Sequence, residues 1–244
     1  MSSQAPITVP PVDDELPRVT PGLLRRAGSM CRLRLARELG GGKRHANKGS
    51  DAPFAVANRV TGDARLAHAE GGAPRPEAFV EPREMEPEQR ALYRAAVRGY
   101  LLSFGDVAAR TADLGWTTEL PDHGVELVYD PGIAVELADG VRELRTIALE
   151  GSAPKLDRLD VACALARTAA WVPDRLRIVA VDLLSLERVE HEPDLEHDRP
   201  DALGLLDERI EVAKRNAADG RPRAGADCQG CAFVARCSLH KEPA

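Results

Sequence analysis

Gly225-Ala226-Asp227-Cys228-Gln229-Gly230-Cys231-Ala232-Phe233-Val234-Ala235-Arg236-Cys237 places three thiols in one short window at C-x2-C-x5-C spacing. Two cysteines three positions apart in a glycine-containing loop can turn both sulfurs toward one ion, and a third after five residues can close its far side. A fourth ligand is then required. Cys163 sits in the apolar run Val161-Ala162-Cys163-Ala164-Leu165, where a small thiol is an ordinary core residue. Cys31, near the other end of the chain, is the ligand this leaves. Thiolates from Cys31, Cys228, Cys231 and Cys237 suit either an iron–sulfur cluster or zinc, and His240 keeps open a zinc site of three thiolates and one imidazole.

The rest of the sequence is compatible with metal ligation and with few other uses of cysteine. No run approaches the roughly 20 apolar residues of a membrane span, and the N-terminus lacks a basic-then-apolar leader, so a cytoplasmic protein without membrane contact is expected. Five cysteines in that compartment are not a disulfide framework. The chain of 244 residues carries a net charge of −6, unevenly spread. Between Arg18 and Lys48 stand nine Lys or Arg against the single acid Glu38, whereas Asp182 to Glu211 is rich in acids. Arg25, Arg26, Arg32, Arg34, Arg37, Lys43 and Arg44 are therefore the candidates for phosphate contacts, which need positive charge and no base-specific geometry.

Periodicity supplies an element order. Residues 1–20, with four prolines and few large apolar groups, read as a flexible arm. Leu24, Ala27, Cys31 and Leu35 form the buried stripe of one helix from Pro21 to Leu39, ended by three glycines. Further helices are expected over 55–69 and from Pro87 toward Leu114. Short aliphatic runs at 119–120, 125–129, 133–137 and 141–149, separated by Asp-His-Gly, Asp-Pro-Gly and Ala-Asp-Gly, read as an antiparallel meander. A helix over 156–171, a buried strand over 176–186 and an amphipathic helix over 201–218 follow. The fold class is α/β of the α+β kind: a helical part (21–116), a sheet-and-helix core (117–219) and a cysteine-rich segment (225–240), together one domain over 21–240.

One cysteine in the first helix, this order of elements and the closing C-x2-C-x5-C make the chain resemble the RecB-type PD-(D/E)XK nucleases, which include the AddB-type recombination nuclease and the CRISPR-adaptation exonucleases. The resemblance spans about residues 21–240. It implies a restriction-endonuclease-type core, a mixed sheet flanked by helices, with a structural [4Fe-4S] cluster rather than zinc joining the chain ends. It also implies DNA as the partner, and a larger protein complex is a second partner to expect. An active member of that family uses Gly-x-x-Asp and then Asp/Glu-x-Lys to hold Mg²⁺ or Mn²⁺ and position water. Here Gly132-Ile133-Ala134-Val135 and Ile147-Ala148-Leu149, before Glu150-Gly151, stand at those places. Asp160-x3-Ala164 stands where the family has Gln-x3-Tyr. His68 falls near the family's metal-binding histidine on an early helix; a satisfied surface or helix-end histidine is its plainer reading.

Three functions follow from this reading. The first is a nuclease-like protein without cleavage chemistry that binds DNA or serves as a subunit. The second is an active Mg²⁺- or Mn²⁺-dependent exonuclease using displaced acids, with Glu136 and Glu150, helped by His68, as candidates. The third is an interaction protein whose cluster only holds the fold. Asp130, Glu136, Asp139, Glu143 and Glu150 together could form such a displaced site, although most of them read more simply as turn residues or as the polar face of strands, since Glu136 and Glu143 alternate with apolar neighbours.

Overall fold

The computed structural model describes residues 16–40, 52–112, 117–130, 132–169 and 174–221. Along them run β1 (Arg18–Val19), α1 (Pro21–Arg26), α2 (Arg32–Leu39), α3 (Ala52–Ala67), α4 (Pro87–Phe104), β2 (Ala109–Thr111), β3 (Thr117–Leu120), β4 (Val125–Val128), β5 (Ile133–Leu137), β6 (Arg142–Ala148), α5 (Arg158–Arg167), β7 (Leu176–Asp182), β8 (Arg188–His191) and α6 (Asp198–Asp219). This is a mixed α/β fold of the α+β kind. None of the described helices is long and apolar enough to cross a membrane.

The main sheet has the order β2-β5-β6-β7-β8. Only β6 and β7 are parallel, with Leu144 opposite Ile178 and Ala148 opposite Asp182. Parallel neighbours need a crossover, and α5 supplies it. Its start is fixed by Asp157, whose carboxylate accepts from the backbone N–H of Leu159 and Asp160, both at 2.9 Å. Alternation along the strands then assigns the two faces. Ile133, Val135, Leu149, Val179 and Val181 pack with Val56, Val60, Tyr93 and Tyr100 of α3 and α4. Ala134, Leu144 and Ile178 pack with Leu24, Leu35, Leu165 and Leu206 of α1, α2, α5 and α6. The result is three layers.

The expected antiparallel meander is divided between two sheets. β3 and β4 pair with β1 in a separate sheet, and the chain turns a corner before β5. The corner is held by Asp130, which accepts from Gly132 N–H at 2.9 Å and from Arg65 at 2.6 Å, while Arg65 Nε donates to the Gly132 carbonyl at 2.6 Å. Gly132 has φ +84, and a Cβ there would stand 2.2 Å from the Arg145 carbonyl oxygen, so only glycine lets β5 swing this close to β6.

The first expected helix is two. The amides of Ser29 and Met30 both bond to the Arg26 carbonyl, closing α1, and Met30 is buried in the core. Cys31 caps α2 with a non-helical ψ of 123°. Gly28-Ser29 weakens the helix at that point, and burial of Met30 settles where it breaks. Order also begins before Pro21, because Arg18–Val19 pairs in parallel with Glu126–Leu127 and Val19 is fully buried. Likewise α4 stops at Phe104, and Ala109–Thr111 pairs antiparallel with β5 in place of the helical extension toward Leu114.

α4 meets the end of β7 through Gly99: a Cβ there would lie 2.0 Å from the Leu183 carbonyl oxygen. Gly99→Ala is therefore expected to lower stability by about 1–3 kcal/mol, the range for overpacking. Gly204→Ala in α6, where an added Cβ meets nothing within 4 Å, serves as the control and should be neutral or stabilising. Thermal or urea midpoints of the two variants check the difference.

Candidate functional site

Strand β6 carries charge into the α3–α4 layer. Arg145 is fully buried and Glu143 nearly so, two residues apart on one face of β6. The Arg145 Nε donates to Glu143 at 2.5 Å, and Arg177 of β7 donates to the other Glu143 oxygen at 3.3 Å. Arg145 Nη1 reaches the Tyr100 hydroxyl oxygen at 3.1 Å and His68 Nε2 at 3.2 Å. The guanidinium carbon lies 4.1 Å from the centre of the Phe104 ring, a cation–π distance. Arg145 Nη2 is buried without a hydrogen-bond partner among the described residues.

The network fixes the protonation of His68. Its Nδ1–H donates to the Gly72 carbonyl at 3.3 Å, leaving Nε2 bare to accept from the Tyr100 hydroxyl at 2.9 Å. Burial lowers the His68 pKa below the usual imidazole value, and the nearby Arg145 charge lowers it further. Burial also raises the Tyr100 phenol. His68 is therefore a neutral, internally bonded histidine.

Around this network lie the positions to which the resemblance assigns catalysis. Val135 and Leu149 are buried and Ile147 is half-buried, all in the apolar cluster that joins β5 and β6 to α3 and α4. The candidate acids do not join them. Glu136 is exposed on β5 opposite Arg142, toward the far end of the β5–β6 pair. Glu150 is exposed beyond the other end of β6, with its amide bonded to Asp182 at 2.5 Å. Asp130 and Asp139 are turn residues, each accepting from a backbone amide two positions on. Glu143, expected on a polar face, is buried instead because Arg145 and Arg177 both claim it. Among the described residues no group of three or more His, Cys, Asp or Glu could hold a metal ion.

Cys228, Cys231 and Cys237, with Lys43 and Arg44, lie outside the described residues. Cys31 lies within them, half-buried at the break between α1 and α2. α2 runs along α6, Asn216 donates to the Ala27 carbonyl at 2.9 Å, and Asp219 forms an ion pair with Arg32. The end of α6 is thus brought to the neighbour of Cys31. Cys163 is fully buried in α5, and burial pushes its thiol up to about 12. A thiol held neutral in that way is a core residue.

Among the described residues, Arg25, Arg26, Arg32 and Arg34, expected to face phosphate, have partners within the fold. Arg25 bridges α1 to α5 through Asp157, at 2.7 Å, and Asp160. Arg26 donates to the Gly22 carbonyl at 3.0 Å, and Arg34 pairs with Glu38 at 2.7 Å. Arg37 is half-buried on α2. The sequence reading missed Arg145, Tyr100 and Asp182. The alternation of 143, 145, 147 and 149 on one strand face was the signal available for Arg145. Asp182 is fully buried and accepts four backbone amides, from Glu150, Gly151, Leu184 and Ser185. Burial alone would raise its carboxyl; those bonds hold it below the usual value.

A scan against models of known protein families finds no match for the chain, and a search of curated proteins finds none either.

The His68 network makes stability depend on pH in a defined direction. The unfolded imidazole binds its proton near pH 6.5, while the folded one is held lower, so the unfolded chain takes up the proton first as pH falls. The stability His68 confers is complete above that value and declines below it. In urea unfolding between about pH 7 and pH 5, His68→Gln should lose less stability than the parent chain. Identical slopes would show that His68 titrates alike in both states.

Proposed function

We propose that the protein is a nuclease-like iron–sulfur protein that lacks cleavage chemistry and acts as a structural or DNA-binding subunit. One observation carries this reading. Positions 68, 135, 147 and 149 fall in a single layer, as the RecB-type resemblance requires of metal and lysine positions, yet three of them are aliphatic. The space beside His68 is taken by the Arg145 guanidinium. A divalent cation wants oxygen ligands, and the Glu143 carboxylate of this network is already claimed by Arg145 and Arg177. The β5–β6 hairpin, α5 crossover and parallel β7 also follow the order that such a core needs.

The proposed [4Fe-4S] cluster fits the described part of its ligand set. Cys31 is half-buried at a helix start, and the Arg32–Asp219 pair draws the end of α6 beside it, whereas Cys163 is a neutral core thiol. When bound, the cluster would supply a covalent link between the chain ends. In the chain-entropy treatment a link closing a loop of about 200 residues restricts the unfolded chain by roughly 5 kcal/mol, a large part of a domain's stability.

Protein purified without oxygen should be brown, with iron and sulfide each near about four per chain; colourless protein with one zinc would refute the cluster. Cys31→Ser should lose the colour and become protease-sensitive, while Cys163→Ser should keep both colour and metal. Linear single- and double-stranded DNA should remain intact with Mg²⁺ or Mn²⁺. Degradation abolished by Glu136→Ala or Glu150→Ala would establish the displaced-acid exonuclease instead.

A further inference from the structure

The two edges of the main sheet are treated differently. At one edge the chain covers its own backbone: the amides of Ala109 and Thr111 in β2 donate to the carbonyls of Gly72, at 3.1 Å, and His68, at 3.0 Å. At the other edge β8 is the last strand, and Arg188, Val189 and Glu190 are exposed. The ladder determines which of its backbone groups are spare. Asp182 N–H donates to the Glu187 carbonyl at 2.9 Å, and the register then pairs Ala180 with Val189 and Ile178 with His191. Antiparallel strands alternate, so Glu187, Val189 and His191 direct their backbone at β7. Arg188 and Glu190 direct theirs away from it, and no other described residue bonds to those outward groups.

The side chains on this edge read the same against themselves. Residues 187–191 are Glu-Arg-Val-Glu-His. Laid antiparallel against a second copy and centred on Val189, Arg188 falls opposite Glu190 and Glu190 opposite Arg188. Glu187 falls opposite His191, which can donate to its carboxylate, and the two valines meet. The backbone agrees with this centring. Arg188 and Glu190, whose amides and carbonyls point outward, become the hydrogen-bonded pairs, giving about four main-chain bonds. Val189 becomes the non-hydrogen-bonded pair, where Cα atoms approach to about 4.5 Å and side chains touch most closely. Any shift of register by one residue sets like charges opposite each other and points the wrong backbone groups at the partner.

We propose that β8 is an interface at which two copies of this chain pair antiparallel about Val189, joining their sheets into one. The turn before β8 limits its length. Leu186 has φ +62, a rare conformation for leucine, held by its amide's bond to the Asp182 carbonyl, so the edge is extended only from Glu187 onward. Leu184, Leu186 and Val189 are 40%, 45% and 37% exposed and supply apolar contact around the paired strands. Arg188 already pairs with Glu190 within its own strand, so the dimer would close a ring of four alternating charges. A two-fold axis through Val189 makes the contact isologous and limits it to two copies.

The full-length chain, purified without oxygen, is examined by sedimentation velocity from about 1 to 100 µM, the range suited to weak, small interfaces. It should show a monomer–dimer equilibrium. Glu190→Arg sets arginine against arginine at both symmetry-related places, and Arg188→Glu sets glutamate against glutamate. Each should raise the dissociation constant at least about tenfold with unchanged circular dichroism. The two variants mixed should pair with each other, because every position then faces its opposite charge, and the double variant Arg188→Glu/Glu190→Arg should dimerise as the parent does. A parent chain monomeric throughout, single variants that dimerise normally, or mixed variants that fail to pair would each overturn the proposal.

Discussion

A guanidinium with no solvent exposure at the middle of β6 constrains everything packed around it. Removing such a charge from water is costly unless its hydrogens find acceptors, so Arg145 requires Glu143 beside it, Tyr100 from α4 and His68 from the end of the α3 segment. Each of those residues transmits the requirement. His68 must stay neutral, with Nδ1–H turned to Gly72, and the Gly72 carbonyl in turn accepts from Ala109 to start β2. Apolar packing alone would tolerate sliding of α3 and α4 over the sheet. The polar bonds permit one register.

The same arrangement decides what chemistry the layer can support. A phosphodiesterase of the kind the sequence resembles needs carboxylates converging on a hard cation and a positioned base or lysine. Val135, Ile147 and Leu149 supply neither, and the Glu143 carboxylate is already held by Arg145 and Arg177. His68 is also unsuited to proton transfer with solvent, since both ring nitrogens are committed inside the fold. The proposed role therefore rests on surfaces and on the linkage of the chain ends.

Much of the fold was legible because it follows from periodicity and turn chemistry. Asp-Pro-Gly and Ala-Asp-Gly mark the ends of β5, and Asp130 and Asp139 bond locally as turn residues should. The aliphatic run 176–182 is buried on both faces of the sheet, which is why it reads as a strand without alternation. The break at Cys31 was not legible: Leu24, Ala27, Cys31 and Leu35 keep helical spacing across it, and only burial of Met30 reveals the kink. β8 has four polar or exposed residues and no apolar stripe, so nothing but its ladder with β7 identifies it. Arg145 escaped because an arginine amid a strand reads as solvent-facing until its partners, distant in sequence, are known.

Several described members of the basic run between Arg18 and Lys48 meet acids inside the fold. The run stands out against an acid-rich C-terminal half, and the fold brings the two together: Arg18 meets Glu126, Arg25 meets Asp157 and Asp160, and Arg32 meets Asp219. These charges orient the first helices on α5 and α6. They are weak fasteners, however, because the side chains remain partly exposed and such pairs contribute about 0–1 kcal/mol each. Ion pairs of that strength help choose where α6 lies relative to Cys31, and the apolar cluster that joins Leu35 and Leu39 of α2 to Leu206, Ile210 and Ala213 of α6 holds the two helices together. The proposed covalent linkage would add to that contact, and the position of Cys31 beside Arg32 gives it one end from which to start.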